Sequence, residues 1–310
     1  MRIGLYACGP GMGLDAPLDE MLGRFVKAEA DGFASAWAGN IFNYDALMLV
    51  ALAGRITKTL ELGTAVVPTY PRHPAALAQQ ALTAQAAAGN RLTVGIGLSH
   101  KIVIETLFGL DYSTPIRHMR EYLSVLNGLL TGQPTVHQGE EYRVGAQITV
   151  PNAERPPVLV AALGPLMLKL AGTMADGTIT WMGGPKYLEQ TAVPLITKAA
   201  AEAGRPAPRI VAGFPVALTD KPESARAAAA MTFAMYASLP AYRAILDIEG
   251  APDATGASII GDEAEVRRQL KHLVDAGVTD VNAAPFPMAD DPGALQRTYD
   301  LLADLARTGV

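Results

Sequence analysis

The chain has 310 residues, 50% of them hydrophobic, enough to bury one barrel-sized core or two smaller ones. Lysine and arginine total 25 against 30 aspartates and glutamates, a net charge of −5, and no basic run is interleaved with aromatics, which sets nucleic acid aside as a partner. No apolar run approaches membrane-spanning length, the N-terminal Met1-Arg-Ile-Gly-Leu-Tyr-Ala breaks at Gly9-Pro10-Gly11 too early for a signal peptide, and the single Cys8 permits neither an internal disulfide nor a cysteine metal site, so a cytoplasmic protein without a membrane partner is expected.

In chain order, apolar and β-branched runs predict strands over residues 2–7, 34–37, 60–67, 92–97, 158–162, 178–182, 210–218 and 278–284. Alanine-rich amphipathic segments lie between them, over 18–30, 45–55, 75–88, 116–130, 166–175, 187–203 and the long region 223–276, whose two helical patterns are separated by 237–261; a last helix over 292–306 follows the eighth strand. Strands alternating with helices predict an α/β fold, a (β/α)8 TIM barrel with insertions in one domain spanning 1–310, in preference to two Rossmann domains. The surplus length falls in three places: 100–115 after the fourth strand, 135–150, which reads as a small hairpin, and 237–261, which carries Pro240, Gly250, Pro252 and Gly256.

The third strand and its exit carry the most information. The apolar run ends at Pro68, Pro71 and Pro74 and gives way to a helix, and the carboxyl end of a parallel strand is where ligands bind. Gly9-Pro10-Gly11-Met12-Gly13 fails as a dinucleotide fingerprint because Leu14 stands where the third glycine belongs, and Gly95-Ile96-Gly97 fails likewise at His100, so both read as turn glycines at strand ends. In Ala161-Ala162-Leu163-Gly164-Pro165-Leu166-Met167, glycine closes a strand and proline opens a helix. The N–H groups of Gly164, Leu166 and Met167 there would suit either a phosphate or an ordinary strand-to-helix turn.

Among the five histidines, His100 and His73 leave strand ends and are the site candidates, whereas His118, His137 and His272 read as solvated or core residues. No H-x-H, H-E-x-x-H or paired cysteine pattern occurs, so no metal is expected, and Ser99 beside His100 is not a triad because adjacent residues point apart. Asn40, Trp37 and Trp181 also stand near strand exits, where a tryptophan can equally plug the barrel mouth.

Chain-wide, the segments Gly63–Pro74, Arg91–His100, Val160–Pro165 with Ala175–Trp181, Arg117–Leu123 and Ala283–Phe286 resemble the bacterial-luciferase-like superfamily, and within it the oxidoreductases that use the deazaflavin coenzyme F420. That resemblance implies a cofactor ring across the barrel mouth against a non-proline cis peptide, here Ala65-Val66. Thr64, Gly97, Leu98 and Ser99 would lie beside the ring, the tail phosphate near Ala162–Met167, and Trp181 within the cofactor site. His100 matches the position where relatives place a catalytic acid. Several relatives carry an Asp-His pair after the second strand, where this chain has Asn40-Ile41; Asn40 joins His100 as a catalytic candidate, and the substrate of the sugar-oxidising members does not transfer.

The resulting expectation is an F420-dependent oxidoreductase that moves a hydride between the deazaflavin and a small organic substrate, reducing an activated double bond, with the cofactor supplying the chemistry and the barrel the orientation. The alternatives are an FMN-dependent monooxygenase of the same fold and a non-catalytic flavin- or deazaflavin-binding barrel. The resemblance also implies a homodimer, formed through helices such as that over 45–55.

Overall fold

In the computed structural model, which describes residues 1–11, 13 and 15–310, eight parallel strands close into a barrel in sequence order; Met12 and Leu14 of the glycine-rich stretch lie outside the described residues. The strands are Arg2–Cys8, Ser35–Ala38, Glu61–Thr64 with its continuation Val67–Pro68, Leu92–Gly97, Val158–Val160, Gly177–Trp181, Arg209–Leu218 and Asp280–Pro285. Closure is made by the eighth strand, which pairs with the first (Ile3↔Val281) and the seventh (Val211↔Asp280). Among the described residues, no helix is long and apolar enough to cross a membrane.

Helices start where the sequence provides a cap or a proline. Asp45 accepts from the Met48 N–H at 2.9 Å to open Ala46–Ile56, and Pro74, Pro115 and Pro165 occupy first turns, where a missing N–H costs nothing. Their apolar faces and the outward side chains of the strands form the main core.

Inward side chains fill the barrel in layers. At the amino-terminal end, Arg209 spans Asp280 (2.6 Å) and Glu61 (2.5 Å), and Arg2 pairs with Glu61 from outside. Above this, Tyr6, Trp37, Leu159, Ile179, Val211 and Ala284 pack together, with Ala65, Val66 and Trp181 resting on them toward the carboxyl end.

Three expectations need correction. The third strand is not continuous over 60–67: it breaks between Thr64 and Val67, and the piece Val67–Pro68 pairs separately with Ile96 and Gly97. A further short parallel strand, Ile259–Gly261, pairs with the seventh because that strand, at 10 residues, outruns its neighbours and leaves an open edge. The stretch 237–261, which separates the two expected helices, Pro222–Thr232 and Glu263–Asp275, itself holds a third, Pro240–Glu249, started by Pro240 and ended by Gly250 at φ 71°. The expected hairpin forms from Thr135–Gln138 and Arg143–Ala146.

Candidate functional site

At the carboxyl end of the barrel the third and fourth strands form a low floor. The Ala65-Val66 peptide is cis, both residues are half-buried, and the Ala65 carbonyl accepts a 2.5 Å hydrogen bond from the Tyr6 hydroxyl. Opposite, a Cβ on Gly97 would come within 2.7 Å of Val66 Cγ2, so only glycine allows the two strands to meet there. Gly95 is tighter still, its hypothetical Cβ lying 2.0 Å from the Thr64 carbonyl. Both glycines serve close backbone approach inside the strand and not the turn expected of them. The turn reading holds for Gly11, at φ 86°.

From Gly97 the chain continues through half-buried Leu98, Ser99 and His100, with Ser99 in the left-handed region at φ 61°. His100 sits edge-on to Tyr242 at 6.0 Å between ring centroids, and burial pushes its imidazole below its ordinary pKa, so the ring is neutral near pH 7.

The fifth strand leads into the helix Pro165–Met174. Gly164 precedes it with no side-chain cap, and a Cβ there would meet nothing within 4 Å. Leu168 N–H bonds back to the Gly164 carbonyl at 2.9 Å, and proline supplies no N–H, so the N–H groups of Leu166 and Met167 remain for a ligand. Ala162 is wholly buried in the core and the Leu163 carbonyl accepts from the Tyr187 hydroxyl at 2.5 Å, so these two build the turn.

Three expected site residues have structural uses. Thr64 is completely buried, its hydroxyl donating to the Gly95 carbonyl (2.8 Å) and accepting from the Gly95 N–H (2.9 Å); it bridges the strands where the ladder breaks and offers no side chain to a ring. Asn40 turns its Oδ1 to the Ala46 N–H at 3.1 Å and holds the loop after the second strand against the next helix. His73 accepts from the Ala75 N–H at 3.2 Å as a helix cap. His118 is a core residue: it stacks on Tyr70 at 3.8 Å, contacts Thr69 Oγ1 at 2.9 Å, and burial drives its pKa down to about 4.

Sequence reasoning singled out Trp181 but missed the rest of the aromatic roof. Trp181 meets Tyr6 at 5.4 Å, Phe233 at 5.9 Å and Tyr236 at 6.2 Å, and Tyr236 meets Tyr242 at 5.0 Å. Trp181 Nε1 faces the Tyr236 hydroxyl, short of a well-formed hydrogen bond. Tyr6 was legible, since it shares inward parity with Arg2 along the first strand. Tyr236 and Tyr242 were not, because they sit in a long insertion without a regular period. Burial pushes the Tyr236 phenol up to about 12 and raises those of Tyr6 and Tyr242 as well. The Cys8 thiol, also pushed up to about 12 by burial, stays protonated and unreactive. Two clefts, of about 350 and 390 Å³, lie on other parts of the surface; neither is lined by His100 or Trp181.

The family described as luciferase-like monooxygenase matches residues 1–280. The chain is 29% identical to an uncharacterized protein of Mycobacterium tuberculosis over 77% of its own length and 76% of that protein's. It is 26% identical to the 5,10-methylenetetrahydromethanopterin reductase of Methanolobus tindarius, covering 91% of this chain and 86% of the other. Among solved structures, it superposes with a TM-score of 0.77 on the coenzyme F420 dependent tetrahydromethanopterin reductase from Methanopyrus kandleri, at 24% identity over 93% of this chain and 94% of that one. It also superposes at 0.76 on an FMN complex of the oxygenating constituent of 3,6-diketocamphane monooxygenase from Pseudomonas putida, at 17% identity over 100% and 99%. Both likenesses show the same barrel.

Proposed function

The chain belongs to the luciferase-like monooxygenase family, and on that premise we propose that it is an F420-dependent oxidoreductase that reduces an activated double bond of a small organic substrate. The observation that carries this reading is the mouth itself: a floor of Ala65, Val66 and Gly97 kept low by glycine, together with an uncapped helix start suited to a phosphate. The choice of deazaflavin over flavin is supported by the reductases among the relatives and by the F420-dependent reductase among the similar solved structures.

When bound, the coenzyme would supply a hydride at carbon 5 of its ring. The residues of this chain do the rest. Ala65, Val66, Gly97, Leu98 and Ser99 would hold the ring by backbone approach, and the N–H groups of Leu166 and Met167 would bind the phosphate through the positive end of their helix. Trp181 and its aromatic neighbours exclude water from above. His100, at the rim, delivers the proton that must accompany the hydride.

Titration of the purified protein with F420 and with FMN tests the assignment. Preferential binding of F420, with oxidation of its reduced form by an enone, is the expected result. Preference for FMN with oxygen consumption overturns it in favour of a monooxygenase, and binding without turnover across a broad substrate screen points to a non-catalytic barrel.

A homodimer is part of the proposal. Met48, Leu52 and Ile56 form an exposed apolar stripe at four-residue spacing along the helix Ala46–Ile56, 65%, 42% and 50% accessible, as a surface that packs against a second copy would be.

A further inference from the structure

We infer that the chamber above Ala65-Val66 is built for an uncharged, planar, conjugated carbonyl compound, held by aromatic rings and met at its oxygen by phenol hydroxyls. The inference rests on the proposed function only for identifying this chamber as the reacting face.

Trp181 stands between Tyr6 and Phe233 in edge-to-face contact with both, at 73° and 66°, while Tyr236 and Tyr242 continue the series to His100. Such a wall offers faces and edges to a flat guest and favours an extended π-system over a compact aliphatic one.

Charge is kept out. Among the described residues, none of the ion pairs includes one of these side chains, and the charged groups nearest in sequence turn elsewhere: Arg243 to Asp247 at 2.9 Å, Lys101 to Glu105 at 3.7 Å, and Lys186 to the Glu249 carbonyl at 3.0 Å. The titrations of His100, Tyr6, Tyr236 and Tyr242 respond only to burial and to neighbouring uncharged groups. A carboxylate or phosphate on the reacting part of the substrate would lose its water there and gain no counter-charge.

Hydrogen-bond donors remain. Tyr6 is committed to the Ala65 carbonyl, but the hydroxyls of Tyr236 and Tyr242 donate to no protein acceptor among the described residues. Burial keeps both protonated at any physiological pH. A carbonyl oxygen placed against them is polarised in the sense that conjugate reduction requires. Were the reduced deazaflavin bound, it would supply a hydride for the β-carbon; Tyr236 and Tyr242 would hold the oxygen toward which the C=C electron pair is drawn, and His100 would give the α-carbon a proton that it recovers from solvent.

Isothermal titration of the purified protein, alone and with saturating coenzyme, against benzylideneacetone and cinnamate tests the idea, since the two share a skeleton and differ in charge. At least about tenfold tighter binding of the neutral enone is expected, with Tyr242→Phe weakening binding of the enone severalfold while thermal stability is retained. Equal or tighter binding of cinnamate, or no binding of either, overturns the inference. The coenzyme titration is read separately, so a preference for FMN sinks the F420 assignment without touching the charge discrimination.

Discussion

Trp37 occupies the space that Gly63 leaves empty. The two residues face each other across the second and third strands, and a Cβ on Gly63 would come within 2.1 Å of Trp37 Cε3. Gly63→Ala must therefore displace a wholly buried indole that also donates to Ser35 Oγ at 2.9 Å. Overpacking of this kind costs about 1–3 kcal/mol, which urea unfolding would register as a lower midpoint. Gly145→Ala, in the hairpin where a Cβ meets nothing within 4 Å, is the matched control and should stay within about 0.5 kcal/mol of the parent.

Arg209→Leu should be among the most damaging single changes outside the mouth. Asp280, only 2% accessible, and Glu61 keep only the half-exposed Arg2 as a counter-charge, at 3.3 and 2.6 Å, once this guanidinium is gone, so the loss approaches the ~3–5 kcal/mol of breaking a buried pair. Arg2→Ala, whose side chain is 44% accessible, should cost less than about 1 kcal/mol. Chemical denaturation of the two variants side by side measures the contrast.

His118 makes stability depend on pH in a definite window. Its folded pKa is depressed to about 4 from 6.5, so below pH 6.5 the unfolded chain takes up a proton that the folded chain refuses. The contribution is fully present above pH 6.5 and is lost as pH falls toward 4, amounting to about 1–2 kcal/mol at pH 5. His118→Phe keeps a ring against Tyr70 and should flatten the midpoint between pH 7 and pH 5, where few carboxylates titrate.

His100→Gln should lower kcat for enone reduction by about 10²–10⁴-fold and leave coenzyme binding intact. Burial depresses the imidazole pKa below 6.5, so the proton-donating form grows as pH falls. Activity of the parent should rise from pH 8 toward pH 6, and that slope should vanish in the variant. A parent profile that is flat or opposite in sign removes His100 from the role of acid.

Met48→Lys combined with Leu52→Lys places two charges on the exposed stripe without touching the barrel. Light scattering should then report a monomer where the parent reports a dimer. Monomeric parent protein would remove the dimer from the proposal.

The barrel was legible in the chain because its cause is local. Strands buried on both faces demand unbroken apolar runs, the helices between them demand a 3.6-residue period, and Pro74, Pro115 and Pro165 mark starts in sequence as they do in space. His100 and the Gly164 turn were legible for the same reason, since each follows a strand directly. The uses of Thr64 and Asn40 were not, because a hydroxyl that bridges two strands and an amide that pins a loop look the same in sequence as ones that face a ligand. The aromatic roof was least legible of all: Phe233, Tyr236 and Tyr242 gather around Trp181 only once pairing of the sixth and seventh strands brings their exits together. The sequence by itself determined the alternation of strand and helix, through periodicity and the conformational limits of proline and glycine. Only the tertiary structure decided which polar groups were consumed in building the mouth and which were left to face a ligand, because hydrogen-bond partners are settled by distance in space and not by spacing along the chain.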